Sequence, residues 1–473
     1  MTPRIGRYPL SRRRFIQGVS IAALAAACGR GGNGGQAEPQ TPSGAAPSPV
    51  FSEPATQLSG DLRLLMWSHF VPVHDEWFDD FATEWGEQVG VNVTVDHIDV
   101  TGIPARISSE ISAGEGHDLI QFIATLSQFE PSVQSMNDLM DEATSRFGDQ
   151  LELCQKSTFN PTTENFYAYA PAWSPDPGDY RKSLWEQVDL PDGPSTWDEL
   201  LEGGAKIFSE QDVQMGLGLS QEIDSNMYAR ALIWSYGGAV QDENEAVTLM
   251  SDDTIAAVEY AKELFDAAMT QEVFAWNPAS NNEGLISGEL SYILNSISAW
   301  RTAQESIPDI AKDIYFVTAL EGPKAKMAAQ HVMYNWIAPK HSTNFDAAQE
   351  FMLHYTANLA NVAYQSKMYD FPGFPDQVPQ LDGWLDEDPF VIEGDDATKL
   401  QPLKTALDWS TNLGHPGPAN PAIGEINGTF VLPNMLARVA RGRQDAEQSV
   451  EQAHQECEEI FTKWRNEGLV GGA

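Results

Sequence analysis

The first part of the folded body alternates between short apolar runs and segments in which apolar residues recur at helical spacing. Residues 62–67 form a mainly apolar run that predicts a buried strand. Helical spacing over 77–85 is followed by strand-like alternation at 91–95, and a second helical segment at 104–113 leads into an apolar run at 118–122. Strand, helix, strand, helix, strand at this spacing predicts a parallel α/β sheet with right-handed crossovers.

The order of these elements also predicts where a ligand site lies. In open parallel sheets, ligands bind beyond the carboxyl ends of the strands. Trp67, Ser68 and His69 follow the first strand, and Phe122 opens the segment that follows the third strand. We therefore expect these two groups of residues to face the same cleft.

The remainder of the chain is richer in helices. Thr196 is placed to cap a helix, with Glu199 completing a capping box, and Asn344 is placed to cap a later helix. Apolar runs predict three further strands and a helical C-terminal part, at 290–295, 314–320, 332–338 and 430–466. The sequence contains no internal repeat.

The N-terminal residues indicate export. The letters SRRRFIQ at 11–17 closely match a twin-arginine signal, and a short apolar run with small residues follows, so 1–27 is predicted to be a signal peptide and not a transmembrane helix. Cys28 after three alanines matches a lipobox, in which the Cys is lipidated; an ordinary cleaved signal with a chance Cys is the alternative. The composition of 28–59, rich in Gly, Pro, Ser and Ala, predicts a flexible tether.

Charge and cysteine content exclude several classes of function. The net charge is −40, and the first 27 residues carry five arginines and no acid, so the rest of the chain is still more acidic. A nucleic-acid partner is excluded because phosphate binding requires a basic face. After Cys28 only Cys154 and Cys457 remain, which excludes a disulfide framework and favours isolated thiols over a single bridge.

Taken in order, several short motifs resemble family 1 extracellular solute-binding proteins, the group that includes the maltose- and other sugar-binding proteins of ABC importers. Each motif is weak alone, and their order behind an export signal and a tether indicates the family. One departure is His117, where the family usually has Pro. The motifs are LLMW at 64–67, GEGHDL at 114–119, PSTWDEL at 194–200, WSYGG at 234–238, SGEL at 287–290, FPGFP at 371–375 and GRQ at 442–444.

The resemblance implies an α/β, two-lobe fold of the periplasmic-binding-protein type (type II), with discontinuous lobes that close by hinge motion around a ligand. The N-terminal lobe is expected at 60–168 and 332–405, and the C-terminal lobe at 173–328 and 412–470. The resemblance further implies a monomer without a cofactor, held at the outer face of the cytoplasmic membrane or in the periplasm, whose partner is an ABC permease.

A sugar site requires flat aromatic faces for C–H patches and polar side chains for hydroxyls. By resemblance, Trp300 falls where relatives place a stacking Trp, and Phe122 and Phe430 fall at or beside further aromatic positions. Trp67, Trp173, Trp234 and Trp276 are also candidates, although three of these four could equally seat the hinge. Packing in the core is the alternative for each aromatic residue.

Polar candidates border the expected cleft. They are Ser68, His69, Asp118 and Asn295. Asp118 could instead orient a backbone turn. Arg301 could bind a carboxylate or phosphate, but pairing with Glu305 one turn along the helix is preferred.

No metal site is predicted, since His69 and His74 lack a third ligand at helical spacing. The resulting interpretation is a transport receptor for a neutral sugar or oligosaccharide that is delivered unchanged. An anionic solute such as a glycerol phosphate is an alternative ligand. A secreted glycosidase and a surface sensor on the same scaffold are alternative functions, and the glycosidase would reveal itself by product formation.

Overall fold

The structure is a computed structural model that describes residues 45–472. The predicted signal peptide, Cys28 and the first part of the predicted tether lie outside the described residues. The strands are β1 (Gly60–Trp67), β2 (Val91–Ile98), β3 (Leu119–Phe122), β4 (Phe159–Asn160), β5 (Asn165–Phe166), β6 (Ala172–Ser174), β7 (Gly178–Arg181), β8 (Gln214–Gly216), β9 (Leu290–Leu294), β10 (Ile314–Val317), β11 (Ala328–Ala329), β12 (Val332–Met333), β13 (Asn335–Ile337), β14 (Phe371–Pro372) and β15 (Ser410–Thr411).

Helices make up most of the rest. The α-helices are α1 (Val73–Val89), α2 (Ile103–Ala113), α3 (Asn137–Phe147), α4 (Glu152–Thr158), α5 (Lys182–Trp185), α6 (Trp197–Gln211), α7 (Ile223–Tyr236), α8 (Asp252–Ala268), α9 (Ser280–Ser287), α10 (Ser298–Ser306), α11 (Pro308–Asp313), α12 (Phe345–Ala357), α13 (Leu359–Gln365), α14 (Leu381–Asp386), α15 (Ala406–Trp409), α16 (Pro421–Gly428), α17 (Val431–Ala440) and α18 (Ala446–Asn466). Short 3₁₀ helices lie at Val100–Gly102, Ser127–Ser132, Glu186–Val188, Gln271–Phe274, Pro375–Gln377 and Gln401–Thr405.

The first sheet has the strand order β13-β3-β1-β2. β1 is parallel to both β2 and β3, which confirms the predicted parallel unit, while β13 adds an antiparallel edge. Gly90 ends α1 in a left-handed conformation with φ of 80°, which a residue without a Cβ adopts at low cost. The apolar side chains of β1, including Leu62, Leu64 and Leu65, are buried in the core.

The second sheet has the order β10-β7-β9-β8, with β7 antiparallel to both of its partners and β8 parallel to β9. The Thr196 hydroxyl accepts a hydrogen bond from Glu199 N–H at 3.0 Å, so the predicted cap of α6 is confirmed. The Glu199 carboxylate in turn accepts from Ser195 N–H at 2.7 Å, one residue before the expected partner. Helices α17 and α18, from the C-terminal part of the chain, pack on α8 beside this sheet.

Two small sheets lie along the chain between the large ones. The first has the order β12-β6-β14 and the second pairs β11 with β15. The chain therefore leaves the first sheet through β6, enters the second sheet at β7, and returns through β11 and β12 to β13. These crossings make both halves discontinuous in sequence, as expected. The lobe limits given above remain predictions.

Three sequence predictions need correction. Residues 332–338 form two strands in different sheets, because β12 and the Tyr334 N–H, which donates to Ala172 O at 3.1 Å, pair with β6, whereas β13 pairs with β3. Asn344 precedes α12 but does not cap it, since its amide donates to Ser59 O and Asp61 O. The tether does not run free to residue 59.

The segment before β1 is fixed to the body from Val50 onwards. Val50 N–H donates to Asn358 Oδ1 at 2.8 Å, and Ser52 N–H donates to His354 Nδ1 at 3.2 Å. Ala55 N–H donates to a Glu350 carboxylate oxygen at 2.9 Å. The segment is thus hydrogen-bonded along α12 and its C-terminal cap.

Within residues 45–472, no helix is long and apolar enough to cross a membrane. Cys154 and Cys457 are both buried and unbridged, as the sequence favoured.

Candidate functional site

A buried polar group lies at the carboxyl end of β1. The His69 ring stacks on Trp67 with the centroids 4.9 Å apart. His69 Nδ1 accepts from Val71 N–H at 2.9 Å, so Nε2 carries the proton. That Nε2–H faces Asp370 Oδ1 and the Tyr334 hydroxyl, each at 3.1 Å. Tyr334 also donates its hydroxyl proton to Asp370 Oδ1. The contacts of His69 with Trp67 and Asp370 therefore connect the end of β1 to a residue 301 positions later in the chain.

His74 forms the far side of this group. Its ring stacks on His69 at 4.4 Å, and its Nε2 lies 3.6 Å from Asp370 Oδ2. Burial lowers the pKa of His74, and the adjacent His69 lowers it further. His74 is therefore neutral near pH 7, and Asp370 Oδ2 has no hydrogen-bond partner among the described residues.

Tyr369 connects this group to a second one. Its ring lies edge-on to His69 at 5.1 Å and edge-on to His331 at 6.4 Å. Ser174, in β6, donates its hydroxyl proton to Tyr369 O at 2.7 Å and so holds the backbone in place. The Tyr369 hydroxyl is buried and has no partner within the described part of the chain.

The second group consists of acids around His331. His331 Nδ1 lies 2.9 Å from Asp176 Oδ1 and 4.0 Å from Asp224 Oδ1. Asp224 Oδ2 accepts from Asn281 Nδ2 at 2.9 Å. Burial lowers the pKa of His331, but the hydrogen bond and charge of Asp176 outweigh it, so the net shift is upward. The geometry favours an imidazolium between two carboxyl groups.

Two more acids complete the second group. Glu222 is the N-cap of α7, and its carboxylate accepts from Asp224 N–H at 2.6 Å and from Ser225 N–H. Asp179, in β7, is fully buried and neither of its oxygens has a partner among residues 45–472. Burial raises the pKa of Asp179 and of Asp224 well above the ordinary range, and nearby carboxylates raise both further.

Amides border the acids. Asn295 follows β9, as predicted, and its side chain donates to Asn282 Oδ1 and accepts from Ser296 N–H at 2.7 Å. Asn282 in turn donates to Ser298 Oγ at 3.0 Å. Asn281, the residue before Asn282, is the donor to Asp224 Oδ2. Asn295 therefore belongs to the rim of the acidic group.

Among the other residues predicted from β1 and β3, Ser68 is exposed, and its N–H donates to Ile98 O at 2.8 Å. Phe122 ends β3 and is half-buried against the core. Asp118 lies at the opposite, amino end of that strand. It accepts from Arg63 N–H at 2.9 Å and from the Ser342 hydroxyl at 3.2 Å, so it orients a backbone turn, which is the structural alternative.

Trp300 is enclosed by protein groups. Its ring is fully buried, the Arg301 guanidinium carbon lies 4.2 Å from the ring centroid, and Phe316 packs edge-on at 5.4 Å. The predicted pairing of Arg301 with Glu305 is wrong. Glu305 pairs with Lys367, whereas Arg301 forms two hydrogen bonds to the buried Asp388, at 2.8 and 3.1 Å.

The remaining donors of Arg301 are also taken. Its Nε and Nη2 donate to Lys367 O, and its Nη1 donates to Gln304 Oε1. The preference for Glu305 rested on helical spacing, whereas Asp388 accepts hydrogen bonds from Nη1 and Nη2 with both of its oxygens, a bidentate geometry that favours Arg–carboxylate pairing. In this conformation Arg301 has no donor left for an anionic ligand.

The other predicted aromatics lie apart from the two polar groups. Trp173 packs edge-on against Phe371 at 5.7 Å and lines a separate cavity of about 270 Å³. Trp234 packs against His415 at 5.6 Å. Phe430 is half-buried and precedes α17 with φ of 57°.

Sequence reasoning missed most of the acidic group. Two signals pointed there. Tyr369 and Asp370 directly precede the FPGFP motif, and His331 lies between 173–328 and 332–405, where the chain is expected to return to the N-terminal lobe. Asp176 lies between two prolines just after the outgoing crossing. Within the described chain, no set of three or more His, Cys, Asp or Glu side chains is arranged to hold a metal ion.

Comparison with known families gives one match. Residues 76–391 match the sequence profile of a family described as bacterial extracellular solute-binding protein. This range covers β2 to β14 and ends at Val391, five residues after α14. No curated protein matches the chain significantly.

Solved structures provide a second comparison. An ABC transporter solute-binding protein from Thermotoga lettingae TMO, bound to α-D-tagatose, has 15% identity and a TM-score of 0.70, with 85% of this chain and 99% of that chain covered. MalE3 of T. maritima bound to maltose has 16% identity and a TM-score of 0.70, with 85% and 100% covered. A sugar transporter protein from Arthrobacter chlorophenolicus A6 with bound laminaribiose has 18% identity and a TM-score of 0.68, with 85% and 99% covered. At these identities the similarity establishes the fold, and it confirms the predicted two-lobe α/β class.

Proposed function

Because this chain belongs to the bacterial extracellular solute-binding protein family, we propose that it captures a sugar or oligosaccharide without negative charge and delivers it unchanged to an ABC-type permease. The ligand lies between the two lobes, against the polar groups around His69 and His331. A neutral sugar, as predicted from the sequence, meets this condition.

One observation carries the proposal. Tyr369 is edge-on to both His69 and His331, so a continuous aromatic and polar surface runs from the end of β1 to the start of α7. Residues of both large sheets contribute to it, and several of its buried polar atoms, including the Tyr369 hydroxyl, have no partner within residues 45–472. Buried polar groups of this kind need partners, and sugar hydroxyls both donate and accept.

The charge of this surface supports a ligand without negative charge. Asp176, Asp179 and Asp224 are buried, with Asp176 and Asp224 in contact with His331, and Asp370 is hydrogen-bonded to His69. Arg301, the cation that the sequence offered for an anionic ligand, is fully engaged with Asp388 and Lys367. The sugars named for the structural relatives, tagatose, maltose and laminaribiose, add support by analogy.

A thermal-shift screen of monosaccharides and disaccharides, followed by calorimetric titration of each hit, tests the proposal. We expect at least one sugar to raise the melting temperature and to be recovered chemically unchanged. Tyr369→Phe removes only the buried hydroxyl and should weaken binding of that sugar about tenfold, which corresponds to one lost hydrogen bond of about 1.4 kcal/mol.

Tyr228→Phe is the matched control. Its hydroxyl is also buried and unpartnered within the described chain, but its ring packs against Trp197, on the side of α6 and α8. It should leave binding unaltered. The proposal is wrong if no sugar shifts the melting temperature, or if a product accumulates during incubation.

Export and anchoring form a second part of the proposal. The letters at 11–17 and Cys28 support export by the twin-arginine route and lipidation at the outer face of the membrane. Replacing both Arg12 and Arg13 by Lys should keep the precursor in the cytoplasm, and Cys28→Ser should release the exported protein from the membrane fraction. Membrane retention of Cys28→Ser would refute lipid anchoring without affecting the sugar proposal.

A further inference from the structure

The acidic group around His331 has an imbalance of charge. Asp176, Asp179, Glu222 and Asp224 are all buried, with at most 7% of each residue exposed. Among residues 45–472, the only cationic side chain that pairs with any of them is His331. Burying several carboxyl groups around one imidazole costs free energy unless a further positive charge or protons compensate them.

Local structure accounts for only part of this group. Glu222 caps α7, and one oxygen of Asp176 is held by His331. Asp224 is held by Asn281 on one oxygen. The second oxygen of Asp176 and both oxygens of Asp179 remain without a partner in the described chain.

An independent observation points to a ligand at the same place. The Tyr369 hydroxyl is fully buried and unpartnered within the described residues, and its ring lies edge-on at 6.4 Å to His331, the residue that contacts Asp176 and Asp224. It comes from the segment before β14, which also carries Asp370 against His69. A phenolic oxygen facing unpaired carboxylates is suited to share a donor with them.

We propose that the captured solute carries a protonated amine, as an amino sugar does, and that its ammonium group binds between Asp176, Asp224 and the Tyr369 hydroxyl. This inference rests on the proposed function and specifies the substrate class of the same site. The hydroxyls of the sugar then face His69 and the amides around Asn295.

An ammonium group fits these partners better than a hydroxyl does. It offers three donors and no acceptor, while Asp176 Oδ2 and the Tyr369 hydroxyl have no partner within the described chain and Asp224 Oδ1 lies 4.0 Å from His331 Nδ1, beyond hydrogen-bond distance. Hydrogen bonds between an ammonium and a carboxylate are stronger than those between neutral groups, and they supply the missing positive charge. The acidity of the whole protein, at −40, also attracts cationic solutes.

Calorimetric titration with matched probes tests the inference. The first set is D-glucosamine, N-acetyl-D-glucosamine and D-glucose, and the second is the β-1,4-linked disaccharide of glucosamine with its diacetylated form and cellobiose. Within each set the probes differ mainly in whether the substituent is an ammonium, an amide or a hydroxyl. We expect the amine to bind at least tenfold more tightly than either uncharged member at pH 7.

Asp224→Asn removes a carboxyl group that can ionise beside the ammonium and keeps the side-chain size, so it should reduce the preference for the amine at least fivefold. Asp252→Asn, at the exposed start of α8, is the matched control and should leave the preference unchanged. The wild-type comparison is decisive even if the Asp224 variant folds poorly. Equal or tighter binding of an uncharged member overturns the inference while the proposed function stands. Failure of every sugar to bind overturns both.

Discussion

The contact between Arg301 and Asp388 tests how much a buried ion pair contributes to the free energy of unfolding. It joins α10 to the acidic segment after α14, and both side chains are almost completely buried, at 1% and 0% exposure. The sequence favoured a different partner for Arg301. Asp388→Asn keeps the size of the side chain but removes its charge, so the buried guanidinium loses the carboxylate to which it is hydrogen-bonded.

The magnitude follows from this burial. Removing one partner of a buried pair costs about 3–5 kcal/mol of unfolding free energy. Asn keeps one acceptor oxygen, and Lys367 O still accepts from Arg301, so we expect a loss of about 3 kcal/mol, the lower end of that range. Asp386→Asn is the control, because its pair with Lys404 is exposed and screened by solvent, so its loss should change the free energy of unfolding much less.

Equilibrium unfolding in urea measures both variants. A double-mutant cycle with Arg301→Met separates the pair from the packing of the arginine against Trp300. We expect the double variant to recover most of the loss caused by Asp388→Asn, since no unpaired charge remains. A loss below about 1 kcal/mol for Asp388→Asn, or an equal loss for Asp386→Asn, would refute the reasoning.

Two further predictions concern pH and packing. Burial lowers the pKa of His354 to about 4. Because the unfolded chain binds the proton more tightly, the free energy of unfolding should fall by roughly 2–3 kcal/mol as pH falls from about 6.5 towards 4. His354→Gln should flatten the dependence of the melting temperature on pH over this range, and an unchanged slope would contradict the prediction. A Cβ on Gly178 would lie 2.2 Å from the Tyr292 hydroxyl, so Gly178→Ala should cost about 1–3 kcal/mol in urea unfolding. Gly383→Ala, with no atom within 4 Å of the new carbon, is its control, and equal losses in both would contradict the packing argument.

The sequence predicted local structure well where the signal is carried by adjacent residues. The alternation of apolar runs over β1, α1 and β2 predicted a parallel unit, and Thr196 was correctly placed as the cap of α6. Both depend on contacts within a few residues of the chain. The ordered series of motifs likewise indicated the two-lobe fold, because a family's turns and strand ends are short local patterns.

The sequence did not predict contacts between residues that are far apart in the chain. Asn344 has the right residue type and position for a cap, yet its amide binds backbone oxygens near β1. Trp300 has the chemistry of a sugar platform, yet Arg301 and Phe316 cover its ring. Only the packing of other segments decides which face of such a side chain is free.

The sequence by itself determined the order of elements, the export signal as a prediction, the acidity and the family. The tertiary structure decided which ionisable groups meet. Asp370 reaches His69 across 301 residues, and Asp388 reaches Arg301 across 87. The physical reason is that desolvation and charge pairing depend on distances in the folded structure. The pattern of apolar residues that drives folding does not specify which buried polar groups come together.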